Sequence, residues 1–379
     1  MCHLAQSIES DNELQKCWYN LFMLVVGLMS GTSLDGIDVA LIETDGERIE
    51  GHLGGMSLAY ECKFRDRLRA CLGSTTHDPK TQSIETELTD LHANAVSLLL
   101  DKLGVKPKRI GLIGFHGHTI CHQPEHRFTW QLGDGAQLAN VTGIDVVCDF
   151  RSADVAAGGE GAPLSPAYHY ALCKGIEKPL AILNLGGVAN VTWLGDTGSI
   201  LAFDTGPANA LIDDWMDGKV GIAYDQDGRW AAQGISHTDF VTAWLNNDYF
   251  SRRPPKSLDR DFFNSDPIAD LSIEDGAATL TEFTVKSVQV ATQFFPSVPL
   301  RWLVTGGGRK NTTIMQSLIS TLELPCTRVE SLGWNGDLLE AEAFAFLALR
   351  SKYKLPISWP STTGVPTPLT GGRLFKGSR

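Results

Sequence analysis

The stretch Leu24-Val-Val-Gly-Leu-Met-Ser-Gly-Thr-Ser-Leu-Asp-Gly-Ile-Asp-Val-Ala-Leu-Ile-Glu43 decides the fold. Its apolar start, Leu24–Met29, predicts a buried strand. Ser30–Gly36 predicts a polar turn, and Ile37–Glu43 a returning strand. The same plan recurs at Leu180–Leu185, Gly186-Gly187 and Val188–Leu194. The two hairpins start 156 residues apart, at Leu24 and Leu180, as two halves built on one plan would. Helical periodicity lies between and after them, over Gln82–Leu103, Pro207 to Asp217, Gly276–Phe294 and Leu338–Leu349. Strands alternating with helices make the fold class α/β.

The chain has 379 residues, enough for two domains. Its 44 acidic against 32 basic residues give a net charge of −12, which speaks against nucleic acid and anionic membrane as partners. The longest apolar run, Phe22–Met29, is too short to span a bilayer. Met1–Asn20 carries acids and lacks the cationic start and apolar core of a signal peptide. Eight scattered cysteines without a CxxC pair read as reduced thiols, so a cytoplasmic location is expected.

The 38 glycines are clustered, and most clusters follow or interrupt apolar runs. Glycine after a strand lets backbone N–H groups approach a ligand, although tight turns alone also use it. The turn Ser30–Asp38 is neither a Walker A loop nor a GxGxxG. It combines small hydroxyls, backbone donors and two carboxylates, a set that can hold phosphate oxygens and hydrated Mg²⁺. A plain Asp/Gly hairpin turn is the competing reading.

In Phe203-Asp204-Thr205-Gly206-Pro207-Ala208-Asn209 an acid ends a strand before a helix. Ligands gather at that end of α/β sheets. Asp204 is therefore either a general base or a helix N-cap. Thr305-Gly306-Gly307-Gly308 ends another strand without side chains, and an adenine ring would suit the bare backbone. His116, His118, His122 and His126 fall within eleven residues, a spacing that invites a metal reading. Neutral imidazoles at a strand end also hydrogen-bond sugars, and His122 and His126 look exposed. Asp149–Leu164 is a small-residue loop carrying Arg151, Asp154 and Glu160, either mobile or packed on a ligand. Arg252–Lys256 reads as a solvated basic loop, and the tail from Pro356 as extended.

These segments together resemble the anhydro-N-acetylmuramic acid kinase family. The matching stretches are GLMSGTSLDGIDVAL at 27–41, GFHGHT at 114–119, DFRSADVAAGGEGAPL at 149–164, NLGGVANVT at 184–192, FDTGPAN at 203–209, TGGGRKN at 305–311 and EAEAFAFLA at 340–348. The resemblance implies the sugar kinase/heat-shock ATPase/actin fold, two related domains with an ATP cleft between them. Residues 1–22 would be a disordered extension, 23–149 the first domain joined by the tail 361–379, and 150–360 the second.

It also implies a reaction. Water opens the 1,6-anhydro bond of an amino sugar, and the freed O6 takes the γ-phosphoryl group of ATP. Asp204 would be the base. Gly31, Thr32, Ser33, Leu34, Asp35, Gly36, Ile37, Asp38, Gly187, Gly306, Gly307, Gly308 and Asn311 would bind the nucleotide. His116, Arg151 and Glu340 would meet the sugar. ATP and Mg²⁺ are the implied cofactors, with Asp35 or Asp38 holding the ion through water and no directly liganding residue assigned. A homodimer is expected. The competing readings are another sugar kinase or ATPase of this fold, and a histidine-based metal hydrolase.

Overall fold

The structure is a computed structural model that describes residues 22–31 and 33–378. Thr32 and nearly all of the 1–22 extension lie outside the described residues.

Two sheets carry the chain. The first holds β1 (Met23–Ser30), β2 (Gly36–Thr44), β3 (Ile49–Ala59), β4 (Leu112–Gln123), β5 (Phe128–Leu132), β6 (Val146–Cys148) and β12 (Arg373–Phe375). Its order is β12-β6-β4-β1-β2-β3, with β5 paired to β4. The second holds β7 (Leu180–Leu185), β8 (Val188–Leu194), β9 (Ile200–Pro207), β10 (Trp302–Thr305) and β11 (Cys326–Arg328), in the order β11-β10-β7-β8-β9. In each, three strands run antiparallel, and two more lie parallel to the first strand on its other side. The shared order and sense are the two-halves plan that the paired hairpins announced.

The central strands are buried on both faces, which explains their near-continuous apolar runs. Helices cover them where local signals start and stop them. Asp78 accepts from Thr81 N–H at 2.8 Å and Pro79 opens the helix Pro79–Leu103, which ends at the left-handed Gly104.

Two helices cross between the halves. Pro166–Leu172 follows the first sheet in sequence and touches β8 and β9 of the second. Leu339–Lys352 follows the second sheet and packs on β1, β2 and β4 of the first. The helix thus lies on the first sheet although its sequence falls within 150–360. It is buried nearly all round, so it reads apolar on every side. One apolar cluster joins both sheets through it, including Val25, Leu112, Tyr168, Ile182, Leu303 and Phe346. The tail returns as β12, antiparallel to β6.

The close approach of this helix requires glycine. A Cβ on Gly27 would lie 1.8 Å from the Ala341 carbonyl oxygen, and one on Gly114 2.0 Å from that of Phe344. The glycines at 27 and 114 thus admit a helix backbone, where the sequence suggested a ligand.

Candidate active site

Asp204 sits on β9 and not at a helix cap: the next helix begins at Asn209. Its side chain is 7% exposed. The Leu258 N–H donates to its Oδ2 at 2.9 Å, and its own N–H donates to the Lys256 carbonyl at 3.0 Å. Burial lifts its carboxyl to about 7, partly offset by the Leu258 N–H and the positive charge of Arg151. A carboxylate that titrates near neutrality is suited to general-base work.

A cavity of about 80 Å³ between the halves brings Asp204 together with Arg151, Glu340 and Asn190. Its walls are Ala162–Ser165, Ala343 and Phe344. Glu340 heads the crossing helix and keeps access to solvent, although protein atoms surround it. Desolvation raises its carboxyl; Arg151 and a 3.2 Å hydrogen bond from Asn184 Nδ2 oppose this.

Arg151 is held without being neutralised. Its Nε and Nη2 donate to His116 Nε2 at 3.1 and 3.0 Å, and its Nη1 donates to the Gly161 carbonyl at 2.7 Å. His116 Nδ1 lies 2.9 Å from the Gly117 carbonyl, so that nitrogen carries the proton and Nε2 is the acceptor. Burial, and next the charge of Arg151, keep this imidazole well below its usual range and neutral. The guanidinium charge is left to act on Asp204 and Glu340.

The β1–β2 turn borders the same region. Ser33 Oγ donates to Asp35 Oδ1 at 2.7 Å. Asp38 is raised to about 7, first by burial and then by the like charges of Asp35, Glu340 and Asp337, against a hydrogen bond from Ser57. Across the cleft Asp213 is raised to about 8 by burial and by charges that include Asp35. Leu34, at φ 60°, and Ile37 turn their side chains into the core, so only their backbone can meet a ligand. A Cβ on Gly36 would lie 2.2 Å from the Leu58 carbonyl oxygen, so its glycine answers to β3. Gly31 is half-buried in the turn.

The second glycine cluster divides in the same way. Gly306, at φ 77°, and Gly308 have would-be Cβ positions filled by Asn184, Leu185 and Asn209, whereas Gly307 is exposed and a Cβ there would meet only Asn209 Nδ2, at 3.7 Å. Asn311 caps the helix Thr312–Leu322, its Oδ1 accepting from Ile314 N–H at 3.0 Å. The carbonyl of Gly187 accepts from Ala208 N–H at 3.0 Å and Ala210 N–H at 3.1 Å, which ties the β7–β8 turn to the segment after Asp204.

Two sequence expectations, the exposed His122 and the solvated Arg252–Lys256 loop, are corrected, and the open reading of the loop 149–164 is narrowed. His122 is half-buried: its Nε2 donates to the Glu160 carbonyl at 2.9 Å and its Nδ1 meets Thr129 Oγ1 at 3.0 Å. His118 turns instead to Ser30 Oγ at 2.9 Å, so the histidine rings serve separate partners. Among the described residues no three His, Cys, Asp or Glu side chains gather to ligate a metal directly. The loop 149–164 is pinned: Asp154 accepts from Gly161 N–H and Thr363 Oγ1, and Glu160 from Arg252 and Ser257. Finally, Arg252–Lys256 is not solvated throughout. Lys256 is 2% exposed, its Nζ donating to the Tyr249 carbonyl at 2.7 Å with the Tyr249 ring 4.3 Å away. Lys256, Leu258 and Tyr249, whose hydroxyl donates to the Asp204 carbonyl, form a strap over the acid. The sequence showed this segment only as a basic loop, with no sign that it covers Asp204.

The family model for anhydro-N-acetylmuramic acid kinase matches residues 23–377. A protein of that name from Paramagnetospirillum magneticum is 53% identical over 354 residues, covering 93% of this chain and 99% of its own. One from Zymomonas mobilis is 50% identical over 362 residues, covering 93% and 99%. One from Rhizorhabdus wittichii is 51% identical over 360 residues, covering 92% and 98%. With identity at this level along nearly its whole length, and with the two matched sheets on either side of an acid-lined cleft, the chain belongs to the anhydro-N-acetylmuramic acid kinase family.

Proposed function

We propose that this enzyme opens the 1,6-anhydro bond of 1,6-anhydro-N-acetylmuramic acid and phosphorylates O6, releasing ADP and N-acetylmuramic acid 6-phosphate, in the recycling of peptidoglycan sugars. The observation that carries the reading is the convergence of Asp204, Glu340 and Arg151 on one cavity between the halves. Water attacks the anomeric carbon while its proton passes to Asp204. The bond from that carbon to O6 breaks, and the freed O6 takes the γ-phosphoryl group. Asp204 meets the requirement for a base because burial brings its carboxyl to about 7.

Phosphoryl transfer asks mainly for positioning and charge. Gly31–Asp38, Gly187 and the exposed Gly307 are the proposed nucleotide contacts, through backbone groups and small hydroxyls. Gly306, Gly308 and Asn311 shape that wall from behind. Arg151, fixed by His116, would face anionic oxygens or the sugar, and Glu340 a sugar hydroxyl. Closure of the two halves on the bound sugar is part of this reading, since it would exclude bulk water from the reaction.

Mg²⁺ suits this site. Asp38 is crowded by Asp35, Glu340 and Asp337, a set that a hydrated dication would relieve. Asp35 and Asp38 are the proposed outer partners, and the ion would neutralise phosphate charge. A cytoplasmic homodimer is the proposed setting.

The test is to mix the protein with Mg-ATP and the anhydro sugar and weigh the sugar product. A gain of one phosphate and one water supports the reading. Phosphate without water makes it an ordinary sugar kinase. Unchanged sugar, with ATP bound, rejects this substrate.

A further inference from the structure

Asn190 stands directly opposite Asp204 across the β8–β9 ladder. The register shifts just before this pair: Ala189 pairs with Gly206, whereas Asn190 pairs with Asp204, leaving Thr205 as an extra residue. This is a β-bulge, a device that re-aims side chains beside active sites. The Thr205 hydroxyl donates to the Ala189 carbonyl at 3.3 Å and closes the ladder at the bulge. Directly opposed residues of an antiparallel pair project from the same face, with Cβ atoms about 4.5–5.5 Å apart. Both side chains line the same cavity.

Asn190 Oδ1 is buried and, among the described residues, has no hydrogen-bond partner. A buried acceptor left empty costs stability, and native proteins rarely leave one so without a reason. The chemistry proposed for the cavity supplies one. The attacking water has two O–H bonds, and Asp204 takes the proton of only one. The other needs an acceptor if the lone pair is to stay aimed at the anomeric carbon. Arg151 only donates. One oxygen of Glu340 is engaged by Asn184.

We propose that Asn190 is a further catalytic residue, whose carboxamide oxygen accepts the second O–H of the attacking water and fixes its direction. The inference rests on the hydrolysing-kinase reading above. The balance is simple. The water oxygen bonds to the anomeric carbon, the bond to O6 breaks, one proton goes to Asp204, and the other stays on the new hydroxyl facing Asn190.

The test compares wild type, Asn190→Ala and Asn190→Asp with Mg-ATP and 1,6-anhydro-N-acetylmuramic acid. Wild type should yield sugar heavier by one phosphate and one water; without that product the underlying reading fails and takes this inference with it. Given that product, Asn190→Ala should lose roughly 10- to 100-fold in kcat, because misdirecting a reactant by about 1 Å costs that much. Both KM values and the melting temperature should stay close to wild type. Asn190→Asp keeps an acceptor but adds charge beside Asp204, so it should regain rate only at higher pH, with its acid limb moved up. An Asn190→Ala kcat within about threefold of wild type overturns the inference, set against the loss just given. So does a loss carried by KM or melting temperature, with no shift of the acid limb in Asn190→Asp.

Discussion

His116 Nε2 accepts both Nε and Nη2 of Arg151, so a neutral ring holds a buried cation in place. A carboxylate in that position would cancel the charge it anchors. The imidazole anchors it and leaves it free to face Asp204 and Glu340, and the phosphate proposed to arrive there.

His116→Phe should therefore cut kcat/KM while preserving the fold. The substituted ring can keep the contact with Phe344, whose centroid lies 4.4 Å from that of His116. The hydrogen bonds to a charged group are worth about 1.5–3 kcal/mol, or roughly 10- to 150-fold if all of it acts in the transition state. Steady-state kinetics beside a thermal melt check this, and an unchanged kcat/KM would remove the role given to the pair.

Asp204→Asn should lower kcat by about 10²–10⁴-fold, the usual contribution of a positioned base. Binding of a non-hydrolysable ATP analogue, followed by calorimetry, should survive.

The base must be ionised to work, and its carboxyl titrates near 7. The rate should fall as pH drops through about 7. Lys256 is one of the positive charges that lower this carboxyl, and it lies in an aromatic cluster where methionine fits. Lys256→Met should move the acid limb of the kcat/KM profile upward. A limb that stays in place would mean that the base is another group.

The same carboxyl makes stability pH-dependent. Its folded value of about 7 lies above the ordinary 3.8, so in that window the folded state keeps a proton that the unfolded state has lost. The associated stability is present below about 4 and lost as pH rises through 7. Asn does not titrate. The melting temperature of Asp204→Asn relative to wild type should thus climb between pH 4 and pH 8, a gain bought at the expense of activity. A constant difference across that range would contradict the burial of this group.

Gly27→Ala and Gly114→Ala should be among the worst substitutions in the first half. Each new methyl group would meet a backbone carbonyl of the crossing helix, which cannot rotate away as a side chain can. Overpacking of this kind costs about 1–3 kcal/mol or more. A melting temperature lowered in both variants, with Gly73→Ala as a comparison site that has open space but a positive φ, checks it.

Much of the fold was legible in local pattern. Leu180–Leu185 and Val188–Leu194 are strands with the bounds that their hydrophobic runs announced. The helices expected over Gln82–Leu103 and Leu338–Leu349 appear as Pro79–Leu103 and Leu339–Lys352. Asp204 stood out as an acid at a strand end and Arg151 as a charge in a small-residue loop, whereas Glu340 was named only through the family resemblance. The glycines were less legible. Gly27, Gly36, Gly114, Gly306 and Gly308 make room for protein, and only Gly307 of its cluster would take a Cβ without a clash. A missing side chain does not say what fills its place.

By itself, then, the sequence determined the α/β class, the doubled hairpin plan and the residue types for acid–base and phosphate chemistry, because periodicity and composition act over a few neighbouring positions. Only the tertiary structure decided which of those residues share a cavity. Arg151 meets His116 across 35 positions, and Glu340 meets Asn184 across 156. The strap of Tyr249, Lys256 and Leu258 closes over Asp204 about 50 positions away. The bulge at Thr205 that sets Asn190 against Asp204 is a matter of register between two strands. Such contacts depend on how distant elements pack, and no local pattern encodes them.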